Sequence, residues 1–332
     1  MIIHLKKEIT SAEAAHLAIE LKAIHVIKPG QEILVTGSAV KELDSKYHDK
    51  VEEFFPMNTD IQLSSKDYRS ETREVKVGKV TIGGNTNNTL VIAGPCSVEN
   101  EAQITESATY LNGLGIHALR AGCFKPRTSP YSFQGLGREG LELLAKMREK
   151  FGMSIVTEVR DATHIEDVIE FTDVIQIGAK SMYDHGILRR CGKSNKPVLL
   201  KRGFGTTLQE FVQASEFILS GGNENVILCE RGIRTFETKT RFTFDLCGVS
   251  FLKEHTNLPI ILDPSHAMGY AYGVPDLARA SVAMGVDGVL IEVHPTPKKA
   301  WSDASQQLNH EEFSNLHGSL SKVAQAVGKK II

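Results

Sequence analysis

Leu90-Val91-Ile92-Ala93 is a short, continuous apolar run, the first of eight such runs between residue 90 and residue 292. Each run has the length and composition of a strand buried on both faces of a parallel sheet. The other seven cover residues 117–121, 154–159, 174–177, 197–200, 225–229, 259–262 and 288–292. Helical patterns lie between them, for example at residues 139–151, 163–171, 208–219, 241–253 and 275–284. This alternation of strand and helix predicts a (β/α)8 TIM barrel.

An open, doubly wound sheet has the same alternation, and the ends of the strands distinguish the two folds. Polar or ionisable residues follow nearly every apolar run: Cys96, Lys125, Glu158, Gln176, Lys201, Glu230 with Arg231, Asp263 with His266, and Glu292. A barrel enzyme gathers such residues at the carboxyl ends of all its strands, whereas an open sheet gathers them near one switch point. The distribution over all eight runs favours the barrel.

The first 66 residues have a different pattern, which predicts a separate α+β domain. Strand-like runs lie at residues 2–5, 25–27, 33–36 and 60–63, and helical patterns at 12–24 and 45–55. The order β-α-β-β-α-β, with a hairpin turn at Gly30-Gln31, is that of a ferredoxin-like, or ACT-like, unit. Residues 64–74 are polar and unpatterned, as in a linker, and residues 75–84 alternate like a small hairpin. We therefore expect a ferredoxin-like domain at 1–66 and the barrel with its hairpin at 67–332.

Composition indicates an ordinary globular protein without a nucleic-acid or membrane partner. The 332 residues are 41% hydrophobic and carry a formal net charge of −2, which argues against a general nucleic-acid surface. No run approaches about eighteen apolar residues, and the first residues lack a signal-peptide core, so we expect a cytoplasmic location. The five cysteines are widely spaced and contain no CxxC pair, as expected for reduced thiols.

Four residues that would meet at the mouth of such a barrel could bind a metal ion. Cys96 follows the first strand, His266 the seventh, Glu292 ends the eighth, and Asp303 lies in the loop beyond it. The first and eighth strands are neighbours in a closed barrel. A thiolate, an imidazole and two carboxylates suit Mn²⁺, Fe²⁺, Co²⁺ or Zn²⁺ better than Ca²⁺ or Mg²⁺. Because the spacing of these four residues forms no local motif, they could instead be structural. Cys96 would then be a core residue, His266 would lie at a capped helix end, and the two acids would be solvated.

Cations at the strand ends predict a site for anions, with more than one phosphate needed to balance them. The set comprises Arg120, Lys125, Arg127, Lys180, Lys201, Arg202, Arg231 and Arg234. Two of these cations lie in the loop 122–137, on either side of Pro126, and Thr128 and Ser129 add hydroxyl donors. Proline stiffens the backbone there, so the loop could hold a phosphate or a carboxylate. The competing interpretation of each single cation is a solvated surface residue or a surface salt bridge.

The chain resembles the type I 3-deoxy-D-arabino-heptulosonate 7-phosphate (DAHP) synthases, specifically their beta subgroup, from about residue 81 onward. The matching motifs, all in order, are Ile92-Ala93-Gly94-Pro95-Cys96-Ser97, the loop 125–137, Gln176-Ile177-Gly178-Ala179, Leu199-Leu200-Lys201-Arg202-Gly203, Cys229-Glu230-Arg231-Gly232, Asp263-Pro264-Ser265-His266, and Glu292-Val293-His294-Pro295 with Ser302-Asp303. Members condense phosphoenolpyruvate with erythrose 4-phosphate to give DAHP and phosphate, the first step of the shikimate pathway to aromatic amino acids.

The resemblance implies a role for each matching residue. Phosphoenolpyruvate is expected on Arg120, Lys125, Lys201, Arg231 and the backbone N–H of Ala179, and the phosphate of erythrose 4-phosphate on Arg127, Thr128 and Ser129. A divalent metal on Cys96, His266, Glu292 and Asp303 would polarise the aldehyde that the enol carbon attacks. Lys125, Cys96, His266 and Glu292 are therefore the expected catalytic residues. Glu158 and Glu230 are both candidates for the base that activates water.

Two departures from the family pattern bear on function. Lys180 stands where related synthases commonly carry arginine, so a point charge replaces a bidentate fork on the phosphate. The N-terminal region resembles the regulatory extension of some members but does not align closely with it. Feedback inhibition by tyrosine or phenylalanine, and assembly as a dimer or tetramer as in related synthases, are hypotheses.

Two other functions remain as alternatives. The 3-deoxy-D-manno-octulosonate 8-phosphate synthases use arabinose 5-phosphate on a similar barrel, but usually show Lys-Ala-Asn-Arg where this chain has Lys125-Pro126-Arg127-Thr128-Ser129. They also usually lack an N-terminal extension. A barrel that has lost catalysis and serves as an amino-acid sensor is the alternative from another class. Candidate ligands at all four metal positions argue against it.

Overall fold

The computed structural model describes residues 1–125 and 129–332. The strands are β1 (Ile2–Leu5), β2 (Ile24–Lys28), β3 (Gln31–Val35), β4 (Val51–Phe55), β5 (Glu74–Val77), β6 (Val80–Gly83), β7 (Asn88–Gly94), β8 (Ala118–Arg120), β9 (Ser154–Val159), β10 (Val174–Ile177), β11 (Val198–Lys201), β12 (Val226–Glu230), β13 (Ile260–Leu262), β14 (Gly288–Glu292) and β15 (Lys330–Ile331). The α-helices are α1 (Ser11–Glu20), α2 (Glu101–Gly113), α3 (Arg138–Phe151), α4 (Ile165–Phe171), α5 (His185–Gly192), α6 (Leu208–Leu219), α7 (Leu246–His255), α8 (Pro264–Met268), α9 (Val274–Ala283) and α10 (His310–Ala326).

Strands β7 to β14 form the predicted barrel. Each pairs in parallel with the next along the chain, and β14 pairs with β7 to close the ring. In that last ladder Gly288 lies opposite Leu90 and Glu292 opposite Gly94. A right-handed crossover through a helix is the usual connection between parallel neighbours, which explains why helices separate most of the strands. The eight expected strands are thus confirmed, with bounds that differ by two residues at most.

The hairpin β5–β6 packs against apolar residues of the barrel strands. Val75, Val77 and Ile82 are buried in one cluster with side chains from the barrel strands, among them Leu90 and Ile227. The larger core lies between the strands and the surrounding helices. Alternate strand residues supply the two clusters, as expected for a sheet closed on itself. Apolar packing therefore supports the strands whose carboxyl ends carry the candidate site.

The N-terminal sheet has the order β2-β3-β1-β4, and β1 pairs in antiparallel fashion with both β3 and β4. The expected helix at 45–55 is wrong: residues 45–47 form one 3-10 turn, and Val51–Phe55 is the fourth strand. Phe55 lies opposite Ile2 in that ladder, so pairing with β1 overrides the helical pattern. The expected strand at 60–63 is also wrong, because those residues form a bend, two irregular residues and the start of a turn.

The segment that follows this sheet is fixed to the barrel by one buried carboxylate. Glu216 on α6 accepts backbone N–H bonds from Gln62 (2.9 Å), Leu63 (3.1 Å) and Ser64 (2.9 Å). Arg73 continues the attachment, since its Nε donates to Oδ1 of Asn257, between α7 and β13, at 2.9 Å. Buried backbone donors need such partners. Residues 62–64 and Arg73 therefore lie against the barrel, although residues 64–74 have the composition of a linker.

Helix α7 begins five residues later than expected, which leaves Arg241 in a loop at the mouth of the barrel. The predicted helix 241–253 is Leu246–His255, with Asp245 as its N-cap. Arg241 therefore lies in the loop that follows β12. Within the described residues, no helix is both long and apolar enough to cross a membrane.

Candidate active site

Three of the four predicted metal ligands meet where β7 and β14 end. One donor atom each from Cys96, Glu292 and Asp303 lies within 4.8 Å of the other two. Cys96 and Glu292 are fully buried. Asp303 has a φ of 46°, an unfavourable left-handed conformation for a residue with a side chain, and such strain is concentrated at functional sites. One thiol and two carboxylates at this separation can hold a transition-metal ion.

His266, the fourth predicted ligand, faces the same group from α8. Its Nε2 lies 3.5 Å from Oε1 of Glu292. Its Nδ1 lies 2.7 Å from Oδ2 of Asp263, although the contact is not aligned as a hydrogen bond. Asp263 also accepts from Nζ of Lys201 at 2.5 Å and caps α8 through the N–H of His266. A carboxylate behind the imidazole is the common support of a histidine ligand, so the set of four residues fits a divalent ion.

The sulfur of Cys96 is held from two directions. Nζ of Lys125 donates to Sγ at 3.1 Å, and Oγ of Ser302 donates to it at 2.8 Å. The backbone N–H of Cys96 donates to Oε1 of Gln307 at 2.9 Å. These donors stabilise the thiolate form, but they do not outweigh burial, which raises the pKa of Cys96. Residues 302–307 thus supply one candidate ligand and position another.

A cavity opens directly beside these residues and is strongly cationic. It is lined by Lys125, Glu158, Gly178, Ala179, Lys180, Lys201, Phe204, Arg231, Arg241, Phe242, His266 and Asp303. Lys125 and Arg231 are buried, and among the described residues no carboxylate lies within ion-pair distance of either. Nε of Arg120 is also buried without a hydrogen-bond partner among those residues. Buried charges need a counter-charge, so the cavity is suited to an anionic ligand.

The two candidate bases differ in their surroundings. Glu158 is partly exposed to the cavity, and Nε2 of Gln176 donates to it at 2.9 Å. A Cβ at position 178 would lie 2.1 Å from Oε1 of Glu158, so a larger residue there would displace this carboxylate. Glu230 is fully buried, and both of its oxygens accept hydrogen bonds, from Arg202 at 2.9 Å and from the N–H of Gly232 at 2.6 Å. Of the two, Glu158 alone lines the cavity.

Some predicted anion contacts lie elsewhere or outside the described residues. Arg127 and Thr128 belong to residues 126–128, which the structure does not describe. Ser129 is described, and its Oγ accepts from the N–H of Tyr131 at 3.3 Å. Arg202 points away from the cavity to Glu230 and Asp245, at 2.9 and 2.8 Å. Arg234 stacks on Phe204 and lines a neighbouring groove.

Sequence patterns missed Arg241, Gln306 and Ser302. NH1 of Arg241 donates to Oε1 of Gln306 at 2.6 Å, and Nε2 of Gln306 donates to Oε2 of Glu292 at 2.6 Å. The predicted helix at 241–253 concealed Arg241, which would otherwise have joined Arg231 and Arg234 as a loop cation. Gln306 gave no signal, because its partners are distant in the sequence, and Ser302 appeared only within the Ser302-Asp303 motif, without a role of its own.

Burial and local charge set the protonation of the four ligands. Burial, reinforced by Glu292, raises the pKa of Cys96 to about 12, although Lys125 opposes the shift. Burial lowers the pKa of His266. Burial disfavours the carboxylates, but His266 and Arg120 lower the pKa of Glu292, and His266 with Lys125 and Arg241 lower that of Asp303 to about 2. At neutral pH the metal-free site therefore holds a thiol, a neutral imidazole and two carboxylates.

Comparisons with known proteins identify relatives that span this site. Residues 60–328 match the model of the DAHP synthetase I family. A phospho-2-dehydro-3-deoxyheptonate aldolase of Thermotoga maritima is 46% identical over 270 residues, 81% of this chain and 79% of the relative. A 2-dehydro-3-deoxyphosphooctonate aldolase of Syntrophotalea carbinolica is 33% identical over 252 residues, 70% of this chain and 90% of the relative. The crystal structure of the Thermotoga maritima aldolase superposes with a TM-score of 0.81 at 40% identity, over 100% of this chain and 99% of that one.

Because Cys96 is a thiol in the metal-free site, we predict that a divalent ion displaces a proton from it on binding. The thiol must become a thiolate, whereas His266, Glu292 and Asp303 need lose no proton, so about one proton should be released per ion. Apparent affinity should rise about tenfold per pH unit between about pH 7 and 8. Calorimetric titration with Mn²⁺ in buffers of different ionisation enthalpy measures the release. Cys96→Ser should abolish it, and Cys191→Ser, another buried cysteine, should not. Release independent of Cys96 would contradict the assignment.

Proposed function

The chain belongs to the DAHP synthetase I family, and on that premise we propose that it condenses phosphoenolpyruvate with erythrose 4-phosphate and water, giving DAHP and phosphate. The reaction is a carbon–carbon bond-forming transfer that opens the shikimate pathway to aromatic amino acids. The observation that supports it best is the cavity beside the four candidate ligands, in which Lys125 and Arg231 are buried with no carboxylate partner in the described part of the chain. An anionic substrate supplies the missing counter-charge.

Phosphoenolpyruvate occupies the deep end of the cavity in this proposal. Lys125, Lys201, Arg231 and Ala179 line the cavity, and the proposal adds Arg120 to the cations that bind the phosphate and carboxylate, with the N–H of Ala179 as a further donor. Lys180 lines the same cavity and contributes a point charge rather than a fork. Fixed cations in a buried site stabilise charge that develops during reaction, because they need little reorganisation.

Erythrose 4-phosphate binds nearer the mouth, with its phosphate on Arg127, Thr128 and Ser129. Lys125, at the start of the same loop, lies 3.1 Å from the sulfur of Cys96. Cys96, His266, Glu292 and Asp303 would hold a divalent ion, Mn²⁺, Fe²⁺, Co²⁺ or Zn²⁺. Such an ion, when bound, supplies Lewis-acid polarisation of the aldehyde. The loop therefore places the sugar phosphate at one end and the reacting carbons at the other.

Addition of water at the central carbon of phosphoenolpyruvate requires a base, and we assign this role to Glu158. Its carboxylate lines the cavity and is oriented by Gln176. Glu230 is engaged on both oxygens, by Arg202 and by the N–H of Gly232, and serves to hold the loop after β12. A proton acceptor has to reach the attacking water, which favours Glu158 on geometry.

Residues 1–66 form a ferredoxin-like regulatory domain in this proposal, with an aromatic amino acid as the candidate effector. The sheet has the strand order of a split β-α-β unit, and Glu216 fixes its connecting segment to α6. Through this contact, a change in the domain on effector binding would reach helix α6 of the barrel. Assembly as a homodimer or homotetramer stays a prediction, which light scattering would measure.

The sugar substrate is tested by one assay with two arms. Phosphoenolpyruvate and Mn²⁺ are mixed with either erythrose 4-phosphate or arabinose 5-phosphate, and released phosphate is measured. We expect release with the four-carbon sugar, because the loop at 125–129 carries Pro-Arg-Thr-Ser after its lysine. Release only with the five-carbon sugar would indicate an octulosonate synthase, and release with neither would favour the non-catalytic sensor.

Glu158→Gln should lower kcat by about 10²–10⁴-fold with little change in the KM for phosphoenolpyruvate, because it removes the base and keeps the shape. Glu230→Gln is the matched variant. It should chiefly lower the melting temperature, since it weakens a buried pair with Arg202. The assignment is wrong if Glu158→Gln retains full turnover while Glu230→Gln loses it without loss of stability.

Deletion of residues 1–66 tests the regulatory domain. Phosphate release is assayed with and without tyrosine or phenylalanine, in the full chain and in the truncated one. We expect inhibition of the full chain by one of them and none after deletion, because the effector site is removed. Inhibition that survives deletion would place the effector on the barrel, and an uninhibited full chain would remove the regulatory proposal.

A further inference from the structure

Glu292 is held by hydrogen bonds on both of its carboxylate oxygens. NH1 of Arg120 donates to Oε1 at 2.7 Å, and Nε2 of Gln306 donates to Oε2 at 2.6 Å. The backbone N–H of Glu292 donates to Oγ of Ser265 at 3.0 Å. A carboxylate fixed at both ends cannot rotate about its last torsion without losing a charge-assisted bond. The orientation that Glu292 offers to a metal ion is therefore set by its two donors.

The orientation of Gln306 is fixed in turn by Arg241. A guanidinium group only donates hydrogen bonds, so the atom 2.6 Å from NH1 of Arg241 has to be the amide oxygen. The amide nitrogen then faces Glu292, and the reversed amide would put donor against donor and oxygen against carboxylate. Gln306 is 1% exposed, so water cannot replace either bond. Arg241, Gln306 and Glu292 therefore form one chain of hydrogen bonds, in which each side chain donates to the next.

Arg241 links this chain to the mouth of the barrel. It lies on the loop after β12, lines the cavity, and is about two-fifths exposed. Its backbone N–H donates to the carbonyl of Met268 at 3.1 Å, at the end of the helix that carries His266. Its NH1 also lies 3.7 Å from Oδ1 of Asp303. Arg241 is thus near one candidate ligand directly and reaches a second only through Gln306.

We propose that Gln306 is a positioning residue of the metal centre, which transmits the position of Arg241 to the carboxylate of Glu292. The inference rests on the proposed metal site and deepens it. Gln306 is not among the residues that line the cavity proposed for the substrates. Residues that orient a metal ligand in this way typically change metal affinity by about 10- to 100-fold when they are removed. The loop after β12 therefore influences the metal centre through a neutral side chain.

The test compares Gln306→Met, Arg241→Met and the double variant as full-length protein loaded with Co²⁺. At position 306 methionine keeps the length of the side chain and removes both hydrogen bonds, and at position 241 it removes the guanidinium group. Gln306→Met should weaken Co²⁺ binding by about 10- to 100-fold, measured against a competing chelator, and should shift the visible Co²⁺ absorption bands. Gln306→Glu should weaken binding as well, because a carboxylate accepts from Arg241 but cannot donate to Glu292.

The double variant tests whether Arg241 acts on Glu292 through Gln306, an effect that we call the relay. If Arg241 acts on Glu292 through Gln306, adding Arg241→Met to Gln306→Met should cause a smaller further loss than Arg241→Met causes alone. Fully additive losses would overturn the relay, as would Gln306→Met with unchanged affinity and spectrum. An unmutated protein that binds no Co²⁺ would instead overturn the metal centre itself, which is a separate result.

Gln62→Met is the matched control for loss of a buried amide. Gln62 is also bonded at both ends, from Nε2 to the carbonyl of Thr36 at 2.7 Å and at Oε1 by the amino group of Met1 at 2.8 Å. It lies in the segment that follows the N-terminal sheet. This variant should lower the melting temperature of the metal-free protein and leave Co²⁺ affinity and spectrum unchanged. A change in the Co²⁺ spectrum of Gln62→Met as large as that of Gln306→Met would show a general loss of packing instead of a positioning effect.

Discussion

The pairing of β14 with β7 is the constraint on which the site depends. Without that ladder, Cys96 and Glu292 belong to opposite edges of an eight-stranded sheet, and 195 residues of chain separate them. With it, Glu292 lies opposite Gly94, two residues before Cys96. Register matters as much as closure, because a shift of one residue would turn Glu292 toward the helices. The hairpin β5–β6 packs against apolar side chains of the barrel strands, and this packing stabilises the closed arrangement.

Charge at the mouth follows from the same geometry. The barrel gathers a lysine or arginine from several strand ends into one low-dielectric cavity, where each opposes the others unless an anion intervenes. The structure balances some of these charges internally: Lys201 with Asp263, Arg120 with Glu292, and Arg202 with Glu230. It leaves Lys125 and Arg231 without a carboxylate partner among the described residues. The unbalanced cations have the greatest need of an anionic ligand, whereas the paired ones, among them Arg120 and Lys201, also hold acidic side chains of the site in place.

Much of the barrel could be predicted from the sequence because its strands are locally encoded. Each is a short apolar run, and a polar residue follows nearly every one, so neither distant contacts nor the helices were needed to locate them. The N-terminal sheet could not be predicted as fully. Val51–Phe55 has a helix-compatible composition, and only its pairing with β1 makes it a strand. Gln306 shows the same limit at the site, since its partners Arg241 and Glu292 are 65 and 14 residues away and no local pattern relates them.

The candidate site combines residues at strand ends, which relatives with the same barrel can share, and residues of a loop, which can differ between relatives. The candidate ligands at the ends of β7, β13 and β14 are positioned by strand register, so any barrel with this register can present them. In the proposed function the sugar phosphate binds the loop 125–129, and loops vary in sequence more freely than the strands that position a site. The proposal therefore assigns specificity for the second substrate to a few loop residues, and the carbon–carbon bond-forming chemistry to the closed barrel. It expects a 2-dehydro-3-deoxyphosphooctonate aldolase at 33% identity to share the ligand positions and to differ in the loop.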